Sequence, residues 1–264
     1  MLRWIPLFIL LLFLPQRASA QATFIQPCHN YNGSGATSCT LTGMGAHHFI
    51  ITTAVTYATS CSTSNTLYSD SLGAVPSPAT TNVVWQQCLT WSGNFIQFSL
   101  ICTNTLSNSG TDTFTLSAST INWISVAEYS GLTDNGVSVC ATDGSNGANG
   151  TQGSSTSPAS AGSITTTAAA DLLIAATWFS PYPSAATITA PTSYTSRVYF
   201  PGSGTDATMT ADYQPGATGT YSPTFVLSPP TWGSQGGWTG MQAAFTTGSS
   251  SSGQTQIGAT LVGP

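Results

Sequence analysis

Asp112-Thr113-Phe114-Thr115-Leu116-Ser117-Ala118 places an apolar side chain on every second residue from Phe114, and Ala207-Thr208-Met209-Thr210-Ala211-Asp212-Tyr213 repeats the pattern. Strict alternation marks a β-strand with one buried face, because successive side chains leave a strand on opposite sides. In the run from Phe49 to Tyr57 the odd positions carry most of the bulk. Residues 95–102 and 172–179 are almost continuously apolar, as strands near the middle of a sandwich can be. Thr, Val, Ile and aromatic residues fill these runs, while Glu, Lys and Arg are nearly missing, so no amphipathic helix is expected. Ser69-Asp70-Ser71-Leu72-Gly73 and Trp91-Ser92-Gly93-Asn94 read as tight connections. Residues 142–162 hold no apolar side chain larger than Ala or Pro and read as a long surface loop. The expectation is a single all-β domain over residues 21–246, followed by a flexible tail over 247–264.

The start of the chain reads as a secretory signal over residues 1–20. Arg3 supplies the positive charge, Ile5 to Leu14 the apolar run, and Ala18-Ser19-Ala20 the small-x-small site a signal peptidase accepts. The apolar run is shorter than the ~20 residues a membrane span needs. Cleavage after Ala20 would leave one cation, Arg197, no lysine and all eight acids, a formal charge of −7. So few cations exclude nucleic acid and anionic lipid as partners, since both are held by Lys and Arg. A surface of Ser, Thr, Asn, Gln and Gly suits neutral polysaccharide or self-association. The expected place is outside the cell or on its surface, with no membrane insertion once the signal is gone.

The six cysteines, Cys28, Cys39, Cys61, Cys88, Cys102 and Cys140, lack metal-type C-x-x-C spacing, and an even count in an exported chain favours disulfides. Cys28 and Cys39 bracket a turn-rich segment and form the pairing with a local argument. Cys61–Cys88 and Cys102–Cys140 are the remaining expectation.

Four segments have a familiar order. They are residues 124–132 (ISVAEYSGL), 170–176 (ADLLIAA), 211–214 (ADYQ) and 238–245 (WTGMQAAF). This order resembles a loosely defined group of secreted bacterial domains of mostly unknown function. The resemblance implies a single jelly-roll-like β-sandwich, here with disulfides, and brings no catalytic residues with it.

Three constellations are candidates for chemistry. Glu128, the only glutamate, shares a strand face with Ile124 and Val126. A lone carboxylate among apolar neighbours could serve as a general acid, with Gln86, Gln87, Gln97 or Asp212 completing a hydrolytic pair. That describes a secreted, acid-active hydrolase, glycosidase or glutamic-peptidase-like, against which stands a strand Glu bonded to backbone and hydroxyls. The histidines His29, His47 and His48 come with no G-x-S-x-G elbow, and His47 and His48 alternate faces if they lie in a strand. Asp70, Asp134 and Asp143 stand in turn-like segments whose oxygens would suit a structural calcium ion, or serve as ordinary Asx turns. Trp91, Tyr182 and Trp232 sit beside Gly, Pro and Asn, where an exposed ring can stack on a sugar face. The leading expectation is a non-catalytic, carbohydrate-binding, adhesive or self-associating extracellular protein, with no cofactor beyond that calcium.

Overall fold

The computed structural model describes residues 21–33, 35–58, 68–72, 83–91, 94–116, 122–134, 140–150, 159–180, 186–201, 206–228 and 237–247. Strands account for all regular structure among them. The first half of the chain supplies β1 (Thr23–Asn32), β2 (Thr37–Met44), β3 (Phe49–Ala58), β4 (Tyr68–Asp70), β5 (Val83–Trp91), β6 (Asn94–Asn104), β7 (Gly110–Leu116) and β8 (Asn122–Ser130). The second supplies β9 (Thr142–Gly150), β10 (Ala159–Ser160), β11 (Ile164–Thr165), β12 (Leu172–Ser180), β13 (Thr187–Thr189), β14 (Thr195–Phe200), β15 (Ala207–Tyr213), β16 (Thr220–Tyr221), β17 (Thr224–Ser228) and β18 (Gly237–Phe245). No helix is long and apolar enough to cross a membrane.

Two five-stranded antiparallel sheets form the sandwich. One runs β1-β8-β3-β6-β5, the other β14-β15-β12-β18-β9. Their facing sides hold Phe49, Ile51, Val55, Phe98, Leu100, Trp123 and Tyr129 against Leu172, Ile174, Trp178, Met241 and Phe245. The predicted all-β sandwich is therefore present, but it has more than two layers. A three-stranded sheet, β2-β7-β4, lies on the outer side of the first, where Leu41, Met44, Phe114 and Leu116 pack on Ile50, Ile101, Ile124 and Val126. A second one, β10-β17-β13, covers the other sheet, with Phe225 and Leu227 against Ala175, Phe179, Met209 and Trp238. The outer layers explain the continuous apolar run in β12. Leu172, Ile174, Ala176 and Trp178 face the sandwich interior, while Ala175 and Phe179 face the cover.

The cover approaches β18 very closely. A Cβ built on Gly240 would stand 2.4 Å from the Ser160 carbonyl oxygen and 3.1 Å from Ala161 Cα. Only glycine lets the β10 backbone sit on β18 at that point. Gln242, two residues on, fastens the same cover by donating from Nε2 to the carbonyls of Gly162 and Tyr221, both at 2.9 Å.

Part of the expected surface loop is a strand. Residues 142–150 (TDGSNGANG) form β9, paired with β18 from Phe245↔Thr142 to Trp238↔Gly150. Their side chains favour a loop. The pairing is made by the backbone, and the buried β18 needs a partner for its second row of N–H and C=O groups. Likewise, Ser69 and Asp70, expected in a tight connection, belong to the short strand β4 (Tyr68–Asp70). Residues 92 and 93 lie outside the described residues, between Trp91 and Asn94, which face each other across β5 and β6.

Cys28–Cys39 joins β1 to β2 and so staples the first cover to its sheet. Cys102–Cys140 joins β6 to the residues that lead into β9. Closing loops of 11 and 38 residues is worth about 3 and about 4 kcal/mol respectively. Cys88 is also disulfide-bonded, and Cys61 lies outside the described residues.

Candidate functional site

Both sheets end, on one side of the sandwich, in a strand with a β-bulge. In β14 the register shifts between Ser196 and Val198, so Arg197 is the extra residue; in β1 it shifts between Phe24 and Gln26, at Ile25. A bulge twists an edge and re-aims the side chain it carries. Arg197 is turned toward the interior. Its Nε donates to Asp212 Oδ2 at 2.7 Å, and its guanidinium lies over the Phe24 ring, 4.5 Å from the centroid. The Tyr129 hydroxyl donates to the same Asp212 oxygen at 3.0 Å. Burial, then the charge of Asp212, raises the Tyr129 hydroxyl well above its ordinary range, so Tyr129 remains a donor.

This ion pair forms the floor of an open pocket of about 200 Å³. Gln21, Ala22 and Phe24 wall it from the first sheet. Leu172, Ser193, Thr195, Tyr213 and Gln214 wall it from the second. Gln21 is seated over Gly131, where φ is +83° and a Cβ would come within 2.6 Å of the Gln21 carbonyl oxygen. The walls thus present mainly amides and hydroxyls around one internally compensated ion pair. Apart from Asp212, which entered only as a partner for Glu128, sequence reasoning did not select these residues. Its usable signal was Arg197 itself, the one cation beyond residue 20.

Glu128 lies elsewhere, between β8 and the first cover, and is fully buried. Its Oε1 accepts from the Gly45 amide at 3.0 Å and lies 2.6 Å from His48 Nδ1. Its Oε2 accepts from Gln26 Nε2 at 2.6 Å. The expected face, shared with Ile124 and Val126, is the one found, but the glutamine beside it is Gln26. Gln86 instead donates to Ser99, and Asp212 is committed to Arg197 and Tyr129. Both carboxylate oxygens thus hold three segments of chain together. His48 shares this cluster, whereas His47, at φ 58° in the turn before β3, lies 2.6 Å from Asp134.

The three aspartates considered for calcium are apart in their contacts. Asp70 ends β4 opposite Phe114. Asp134 joins His47 and accepts from Asn104 Nδ2 at 2.7 Å. Asp143 accepts from the Thr167 hydroxyl and from the amides of Thr167 and Ala168. Among the described residues, no three His, Cys, Asp or Glu side chains form a group able to hold a metal ion. Of the aromatic candidates, Trp91 is the last residue of β5, and Tyr182 and Trp232 lie outside the described residues.

Asp143 and Asp171 form a carboxyl pair of opposite tendencies. Burial pushes Asp143 up, but the donors from Thr167 and Ala168 together hold it below its ordinary value. Burial, then the neighbouring Asp143 carboxylate, push Asp171 up to about 7. A carboxyl raised in the folded state stabilises the fold fully below its unfolded pKa, about 3.9, and that stability is lost as pH rises through 7. The depressed Asp143 acts oppositely, adding stability above its unfolded value. Thermal melts are therefore expected to show a fall in stability between about pH 4 and 7 that Asp171→Asn removes. A variant retaining the parent's slope over that window would show that Asp171 is not its source.

No family model matches the chain, and neither a curated protein nor a solved structure matches it.

Proposed function

We propose that the protein is an extracellular or cell-surface, non-catalytic β-sandwich that binds neutral polysaccharide. The observation that carries this reading is the pocket between the bulged edges of β1 and β14. It offers uncharged donors and acceptors around an ion pair whose charges cancel. Neutral polar groups of this kind meet the hydroxyls of a sugar. The near absence of cations supports a neutral ligand, and the disulfides suit an oxidising compartment. The non-catalytic part rests on how Glu128, Asp112 and Asp212 are spent. Glu128 ties the first cover to its sheet, Asp112 accepts from the amides of Ser71 and Leu72, and Asp212 holds Arg197 and Tyr129.

The test is titration of the protein, recovered from secretion with its disulfides formed, against a panel of soluble and insoluble polysaccharides. Saturable binding to a neutral polysaccharide is expected, followed by tryptophan fluorescence and pull-down. It should be nearly unchanged by 1 M salt, because a neutral ligand presents no charge to screen. Failure to bind any member of the panel would end the glycan reading, and binding abolished by salt would replace it with a charged ligand. Replacing Trp91, Tyr182 and Trp232 in the same assay measures what the loop aromatics add.

A further inference from the structure

We infer that the Arg197 pocket reads a pair of neighbouring hydroxyls on a single neutral sugar ring; this rests on the glycan-binding reading above and assigns its site. Arg197 spends one donor, Nε, on Asp212, and its guanidinium face on Phe24. Among the described residues its two terminal NH₂ groups make no hydrogen bond. Asp212 receives Tyr129 and Arg197 both on Oδ2, which leaves Oδ1 with no donor among the described residues. A donor fork therefore stands beside an acceptor on the pocket floor.

A hydroxyl both donates and accepts, so two neighbouring hydroxyls can satisfy the fork and the carboxylate together. A ligand carboxylate would satisfy Arg197 but meet the charge of Asp212, and an ammonium group would meet that of Arg197. The compensated pair thus selects for neutrality by penalising both ions. Further acceptor capacity comes from Gln214, whose Nε2 is committed to the Ala170 carbonyl at 2.7 Å and whose Oε1 remains. Thr195 contributes an exposed hydroxyl at the rim. A volume of about 200 Å³ is below the ~300 Å³ at which sites for drug-sized ligands begin, so the space beside the ion pair suits one ring of a chain that continues through the open side.

The experiment follows the Arg197 Nε–Hε NMR signal, assigned by its loss in Arg197→Lys. Methyl glycosides of glucose, galactose, mannose and arabinose are added, with methyl galacturonide as the anionic comparison. At least one neutral glycoside is expected to shift the signal saturably. Its analogue lacking one hydroxyl of the pair, and the uronide, should bind more weakly. Arg197→Lys keeps the charge but loses the fork, and should weaken binding about tenfold or more, the effect of one charge-assisted hydrogen bond. Thr195→Trp fills the rim from an exposed position, leaves the ion pair intact, and should abolish binding in a folded protein.

If a polysaccharide binds while the Arg197 signal stays still and Thr195→Trp binds like the parent, the pocket is not the site, though the protein remains a glycan binder. Preference for the uronide would overturn the neutral-diol assignment. If neither polysaccharides nor glycosides bind, both readings fall together.

Discussion

Replacing Glu128 with alanine is expected to lower stability by about 3–5 kcal/mol, the cost of removing one partner from a buried charged network. For a domain of this size that corresponds to a fall in Tm of about 6–20 °C. The carboxylate is fully buried, and its loss strips the Gly45 amide and His48 Nδ1 of their acceptor. Gln26 Nε2 keeps its second acceptor, the Thr42 carbonyl at 2.9 Å, so the damage should be greatest on the Gly45–His48 side. Glu128→Gln should cost less, about 1–3 kcal/mol, because it fills the same volume and retains one carbonyl oxygen while placing an NH₂ group among donors. Thermal melts of the two variants give the comparison; equal stability of parent and Glu128→Ala would show that the cluster is not a fastening. The same proteins test the hydrolase alternative. Acid hydrolysis by the parent that disappears in a folded Glu128→Gln protein would give Glu128 a catalytic role.

Gly240→Ala is expected to destabilise by about 3 kcal/mol or more, at or beyond the upper end of ordinary overpacking. The obstacle is the Ser160 carbonyl, 2.4 Å from the new methyl group, and a backbone oxygen cannot rotate out of the way. Relief requires β10 to lift from β18, which strains the Gln242 bonds to Gly162 and Tyr221. Exposure of Phe225 and Leu227, on the inner face of the same cover, would follow. Chemical denaturation measures the loss, and binding of a hydrophobic dye reports the lifted cover. A variant within 1 kcal/mol of the parent would mean that this segment is not seated on β18.

Local patterns were legible in the sequence. Alternation in residues 112–118 and 207–213 corresponds to β7 and β15, and the Cys28–Cys39 pair follows from its short turn-rich loop. Trp123, Trp178 and Trp238, which fall in strands, are all buried. What escaped depends on which strands become neighbours. Residues 142–150 carry side chains typical of a loop, and only the position of β18 makes them a strand. The continuous apolar run of β12 signalled burial on both faces but not what covered it. Glu128 was placed on its correct face, yet His48 and Gln26 are 80 and 102 residues away in sequence. The pocket is harder still to foresee. It joins residues 21–24, 193–197 and 212–214, and Arg197 points into it because of a bulge that no side-chain pattern announces.

The division of strands between the halves also sets an order of events for a chain emerging from its N-terminal end. The first sheet and its cover are complete once residue 130 is available, whereas the opposing sheet draws all its strands from residues 142–245. In the interval Phe49, Ile51, Phe98 and Leu100 have no opposing layer. β1 must also wait roughly a hundred residues for β8, so pairing starts late and closes a long loop. A half-built protein of this kind presents a broad oily plate and open strand rims to its neighbours. Productive assembly therefore requires that the plate be shielded, or the chain kept unfolded, until β18 has arrived.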